Sequence, residues 1–171
     1  MPTTTFDHLT APKRDRITAA LLTEFSAHSL ATAQVARIVK QADIARGAFY
    51  KYFADLTDAY QYLYGLALDQ IHQAVPTSVS DLDVTATYAA VRDFVDQATA
   101  SPYYALIQRH FQTNEGLLPV APAIPATMTA PVWAAMVLSH ATIKEIMLRP
   151  DSRTASLVRF QTALRALADE A

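Results

Sequence analysis

The sequence predicts an all-α protein: an N-terminal three-helix head built around a helix-turn-helix, carried on a larger C-terminal helical body. Three observations point there. Only three glycines occur in 171 residues. Runs of alternating β-branched residues are absent, and alanine and leucine are abundant, so helix is favoured almost everywhere. With 51% of residues apolar, a chain of this size can bury a core without staples.

Taken in order, the first helix is expected from Pro12 to Ser26, with Thr10 as N-cap and Ile17, Leu21 and Phe25 as its buried stripe. A short helix follows over Ala33–Lys40, turning Val35, Ile38 and Val39 inward. Gln41, Ala42 and Asp43 make a tight turn, and a third helix runs from Ile44 to Tyr52. A long apolar helix over Leu56–Ala74 is halted by Pro76, and Pro76–Asp81 reads as a loop. Asp81 or Asp83 caps the next helix, which reaches Thr99. Ser101 and Pro102 then read as N-cap and first position of another helix, ending near Gly116. Pro119, Pro122 and Pro125 make a poor helix and predict an irregular connector. Helices over Pro131–Leu148 and Ser152–Ala168, separated by Arg149-Pro150-Asp151, close the chain. The expected division is a head over residues 1–55 and a body over 56–171.

Several classes are disfavoured. Without cysteine there are no disulfides or thiolate metal sites. No apolar run reaches the roughly 18 residues of a membrane span, and the N-terminus lacks the pattern of a signal peptide. The expected location is therefore cytoplasmic, with no membrane partner. His8, His28, His72, His110 and His140 lack paired ligand spacing, so neither a metal nor another cofactor is expected. No phosphate-cradling glycine loop, nucleophile elbow or H-E-x-x-H stands in the chain, and an enzyme is not expected.

Charge is unevenly placed. The net charge is -2, yet residues 10–53 hold seven basic side chains (Lys13, Arg14, Arg16, Arg37, Lys40, Arg46, Lys51) against Asp15, Glu24 and Asp43. Residues 10–53 thus carry +4 and the rest of the chain -6. A basic head on an acidic body suits a protein with one nucleic-acid-facing end.

On a helical wheel at roughly 100° per residue, Ile44, Ala48, Phe49 and Tyr52 share one arc, while Arg46, Gly47, Tyr50 and Lys51 share the other. Two short amphipathic helices joined by a tight turn form a helix-turn-helix, whose second helix enters the major groove. Arg46 suits a phosphate or a guanine edge, Gly47 permits close backbone approach, and Tyr50 and Lys51 can reach phosphates.

The string VARIVKQADIARGAFYKYFADLTDAY resembles the N-terminal domain of the TetR/AcrR family of bacterial regulators. Gly47, Phe49, Tyr50, Tyr52 and Phe53 occupy that family's recognition-helix pattern. The resemblance implies DNA contacts at Thr32, Gln34, Ala45, Arg46, Gly47, Ala48, Tyr50, Lys51 and Tyr52. It also implies a homodimer on a double-stranded, near-palindromic operator, released by a small-molecule effector. The sequence departs from the family at Asp43, where glycine is usual, and at Leu56, where lysine is common. Those two positions leave open a second reading, a helical protein-interaction module that has lost DNA binding.

Within the body, Tyr64, Tyr88, Tyr104, His110 and Phe111 are candidate lining residues for a hydrophobic or aromatic effector. Trp133, Met136, Val137, His140, Ile143 and Met147 recur at helical spacing on one helix, and Leu157, Phe160 and Leu164 on the next. Two such helices can build a four-helix interface with a partner copy.

Overall fold

The computed structural model describes residues 2–71, 81–118 and 124–169. The expected loop after Pro76, the prolines at 119 and 122, and His72 lie outside the described residues. Among those described, every regular element is helical. The helices are α1 (Thr4–Asp7), α2 (Ala11–Ala27), α3 (Val35–Ala42), α4 (Arg46–Tyr52), α5 (Leu56–Ile71), α6 (Val84–Ala100), α7 (Tyr104–Arg109), α8 (Ala130–Leu148) and α9 (Arg153–Asp169). A π-helical turn, His110–Asn114, continues α7 into a 3-10 turn, Glu115–Leu117.

The chain divides into two compact units. The first holds Met1–Gln70 and Pro102–Leu118. The division expected between residues 55 and 56 falls inside it, at the junction of α4 and α5. Here α2 is the central element, packing against α3 and α7. Its stripe Ile17, Ala20, Leu21 and Phe25 is fully buried, together with Ile38, Phe49, Phe53, Tyr60, Leu63, Leu106 and Ile107. Thr10 stands at the N-cap of α2, but only its backbone carbonyl is engaged, accepting from Lys13 and Arg14 N–H at 3.0 Å.

The second unit holds Ile71–Ser101 and Pro119–Ala171, with α6, α8 and α9 packed on one another. Val91, Phe94, Val95 and Ala98 of α6 are buried, as are Ala135, Ile146 and Met147 of α8 and Leu157, Phe160 and Leu164 of α9. Arg153 of α9 pairs with Asp96 of α6 at 2.6 Å, and Arg159 pairs with Glu145 of α8. Asp83 caps α6 through its side chain, accepting from Ala86 N–H at 2.8 Å. Ser101 does not open the next helix. Its hydroxyl turns back to the Ala98 carbonyl at 2.9 Å, Pro102 sits in a turn, and α7 begins at Tyr104.

The turn between α3 and α4 comes later than its composition implies. Ala42 is buried as the last residue of α3, and Asp43 then adopts φ 50°, ψ 56°. That left-handed residue lets the Ile44 N–H reach the Val39 carbonyl at 3.1 Å and ends the helix. Left-handed geometry costs a side chain about 1 kcal/mol, and aspartate tolerates it better than most. Asp43→Gly is therefore expected to leave thermal stability nearly unchanged. Asp43→Val is expected to lower it by about 1–2 kcal/mol in a denaturant titration.

Candidate nucleic-acid interface and effector cluster

The first of the two short helices, α3, is fixed from beneath by a carboxylate in the apolar stripe of α2. Glu24 is 4% exposed. Its Oε1 accepts from the Gln34 N–H at 2.7 Å, completing the N-terminus of α3. The Arg37 guanidinium grips both oxygens, Nη2 at 2.6 Å and Nε at 2.8 Å on Oε2 and 3.0 Å on Oε1. Burial works to raise the Glu24 pKa. The Arg37 and Gln34 hydrogen bonds, with the charges of Arg37 and His28, outweigh it and hold the group below its ordinary value. At the other end of α3, Arg16 Nε donates to the Ala42 carbonyl at 2.7 Å, placing a cation on the helix C-terminus. Two of the seven head cations are thereby committed to the scaffold.

On the far side, the residues expected to meet DNA separate into two groups. Thr32, Gln34, Ala45, Arg46, Gly47, Tyr50 and Lys51 are exposed, and Ala48 is half-buried. A Cβ on Gly47 would meet nothing within 4 Å, so the protein's own packing does not require glycine there. Tyr52 is 5% exposed, its ring edge-on to Phe6 and beneath the Lys13 ammonium at 5.8 Å. Thr32 is tied to Ser29 by its hydroxyl. Below Phe53, Asp55 Oδ1 accepts from the Asp58 N–H at 2.8 Å and Asp58 Oδ2 from the Ala54 N–H at 3.0 Å, a reciprocal cap that starts α5 beside Leu56.

A short N-terminal arm, which no periodicity in the sequence announces, lies against this helix pair. Thr3 donates from its hydroxyl to the Lys51 carbonyl at 2.6 Å and from its N–H to the Tyr52 carbonyl at 3.0 Å. Phe6 is fully buried among Tyr52, Phe53 and Tyr62.

Four of the candidate effector residues lie in the first unit. Tyr64 stacks on His110 with ring centroids 4.1 Å apart, and Phe111 meets His110 edge-on at 5.3 Å. Tyr104 is turned toward Gln108, its hydroxyl accepting at 2.9 Å. Tyr88 belongs to the second unit, where its ring faces Phe160 at 6.5 Å. Two partners complete the cluster beyond those that sequence reasoning selects. Tyr60 hydrogen-bonds His110 Nδ1 at 3.1 Å. Asn114, fully buried, accepts from the Leu30 N–H at 2.8 Å. Tyr60 stands one turn before Tyr64, the spacing that would have revealed it. The π turn that swings His110 and Asn114 together has no comparable sequence signal.

Burial pushes the Tyr60 hydroxyl up to about 12, with Asn114 opposing. Burial also raises Tyr64, helped by the charges of Tyr60 and Glu115. The folded state therefore holds the Tyr60 proton where the unfolded chain releases it. Stability is expected to fall as pH rises from about 10 to about 12, by about 2–3 kcal/mol from this group. Tyr60→Phe removes that portion of the alkaline limb in pH-dependent urea titrations.

An open cleft of about 590 Å³ lies elsewhere in the first unit, lined in part by Phe6, Arg14, Thr18, Leu22, Tyr62 and Tyr103. None of the candidate effector residues lines it. On α8, Trp133, Met136, Val137 and His140 are exposed and Ile143 is half-buried. Met147, Leu157, Phe160 and Leu164 are instead buried in their own unit's core. Among the described residues, no helix is long and apolar enough to cross a membrane, and no three His, Asp or Glu side chains gather as a metal site.

A buried-face helix pair with a short exposed second helix defines a helix-turn-helix, here followed by further helices. Residues 17–56 match the family model described as bacterial regulatory proteins, tetR family. That stretch of the chain is similar to the family's N-terminal domain. The solved structures agree on the fold. A TetR family transcriptional regulator from Chloroflexus aurantiacus J-10-FL is 20% identical with TM-score 0.55, covering 99% of this chain and 98% of its own. A transcriptional regulator from Streptomyces coelicolor is 18% identical with TM-score 0.52, covering 91% and 97%. No curated protein matches the sequence.

Proposed function

We propose that this regulator is a dimeric repressor that leaves a near-palindromic operator when a small hydrophobic or aromatic effector binds. The observation that carries the DNA half is the outer face of α4. Arg46, Gly47, Tyr50 and Lys51 are exposed together while Phe49 and Tyr52 anchor the opposite face. Gly47 supports a close approach from outside, because nothing inside needs the missing Cβ. In a two-fold dimer the recognition helices enter successive major grooves, roughly 34–36 Å apart.

Dimer formation is supported by the apolar side chains that α8 leaves in solvent, Trp133, Met136 and Val137, each close to half exposed. Effector binding is supported by the Tyr64, His110 and Phe111 rings, which gather in the first unit. A ligand that fits the released form better shifts the population toward it.

The test is selection of binding sites from random duplex DNA, followed by footprinting beside the protein's own gene. The expected result is a pseudo-palindrome with half-sites about one helical turn apart. Failure to enrich any palindrome, with no protected region at the gene, sinks the reading in favour of a protein-docking head.

A further inference from the structure

We propose that the N-terminal arm is a working part of the DNA-reading head, with Thr3 acting as a positioning residue for the recognition helix. The proposal rests on the DNA-reading role given to α4 above. With seven residues, α4 is far below the roughly 12–15 that an isolated helix needs to persist in water. Its order must come from tertiary ties, and its last carbonyls have no donors within the helix.

The Phe53 N–H takes the Phe49 carbonyl at 2.9 Å. The last two carbonyls are both taken by one residue near the start of the chain. Thr3 covers Lys51 through its hydroxyl at 2.6 Å and Tyr52 through its N–H at 3.0 Å. Phe6 then locks the arm in place, its ring 4.9 Å from Phe53 and 5.0 Å from Tyr62 of α5. Backbone and side chain of Lys51 are thus divided in function. The carbonyl is held by the arm, and the ammonium is left at the surface. A hydroxyl at residue 3 fixes the end and rotation of α4 without itself facing a phosphate.

Thr3→Val removes the hydroxyl at nearly constant shape, and Thr3→Ser restores it. Both are compared with the wild type for binding to the duplex that the wild type selects, across a salt series, and for amide exchange of residues 49–53. Thr3→Val is expected to weaken binding about tenfold, to leave the salt slope unchanged and to speed exchange at the end of α4. Thr3→Ser is expected to match the wild type in all three. Unchanged affinity and exchange in Thr3→Val overturn the proposal. Weaker binding with unchanged exchange also overturns it, since Thr3 would then be a direct DNA contact. Should the wild type select no DNA, the regulator reading fails separately, and the exchange measurement still decides whether Thr3 holds α4.

Discussion

Replacing Arg46 and Lys51 together with alanine is expected to weaken operator binding at least about 100-fold while leaving thermal stability unchanged. Both side chains are exposed on α4, and none of the ion pairs found among the described residues uses them. A guanidinium on a base edge contributes about 1–3 kcal/mol, and a dimer forfeits it at two half-sites. The lysine leaves a different mark. Each phosphate deprived of its cation lowers the slope of log K against log salt by about 0.9, hence about 1.8 for a dimer. Arg37→Ala is the informative contrast, since its guanidinium already grips Glu24. That variant is expected to lose stability with little change in salt slope. The measurement is fluorescence anisotropy on a labelled operator at several salt concentrations, beside a denaturant titration of each variant.

Glu24→Ala is expected to destabilise the head by about 2–4 kcal/mol, the largest stability loss among single polar substitutions in that unit. It strands the Gln34 N–H at the start of α3 and frees the Arg37 guanidinium. The guanidinium is 38% exposed and recovers water, which keeps the cost below that of a fully buried orphan charge. Glu24→Gln retains an acceptor and is expected to lose about half as much. The carboxyl's folded pKa lies below its ordinary 4.5. Its contribution is therefore complete above about pH 4.5 and disappears as pH falls through the lower folded value. Urea titrations between pH 3 and 7 should show an acid limb in the wild type that Glu24→Gln lacks.

Much of the head was legible because its information is local. Ile17, Leu21 and Phe25 repeat at helical spacing, and the α4 wheel separates Phe49 and Tyr52 from Arg46, Tyr50 and Lys51 as the structure does. Helix ends were less legible, because they depend on single dihedrals. Asp43 in the left-handed region carries α3 on to Ala42 and delays α4 to Arg46. The Ser101 hydroxyl turns back to the Ala98 carbonyl, and α7 starts only at Tyr104.

Long-range ties left fainter marks. Glu24 sits within the apolar stripe of α2, and a carboxylate there demands a partner, but spacing alone does not name Arg37. Phe6 stands outside any amphipathic pattern, and its partners lie 46 to 56 residues away in sequence. The distinction between Trp133, left in solvent, and Leu164, consumed by the core, concerns three-dimensional packing. Both occupy equally apolar helical positions in the sequence.

Trp133 has a practical consequence. The chain contains one tryptophan, and it stands 46% exposed on α8. Intrinsic emission excited at the red edge therefore comes from a single indole, with no second emitter to average over. Its spectrum reports the polarity of that one face, and its anisotropy reports the tumbling of the particle that carries it. The protein supplies its own optical label on the surface proposed to meet a second copy, and needs no dye.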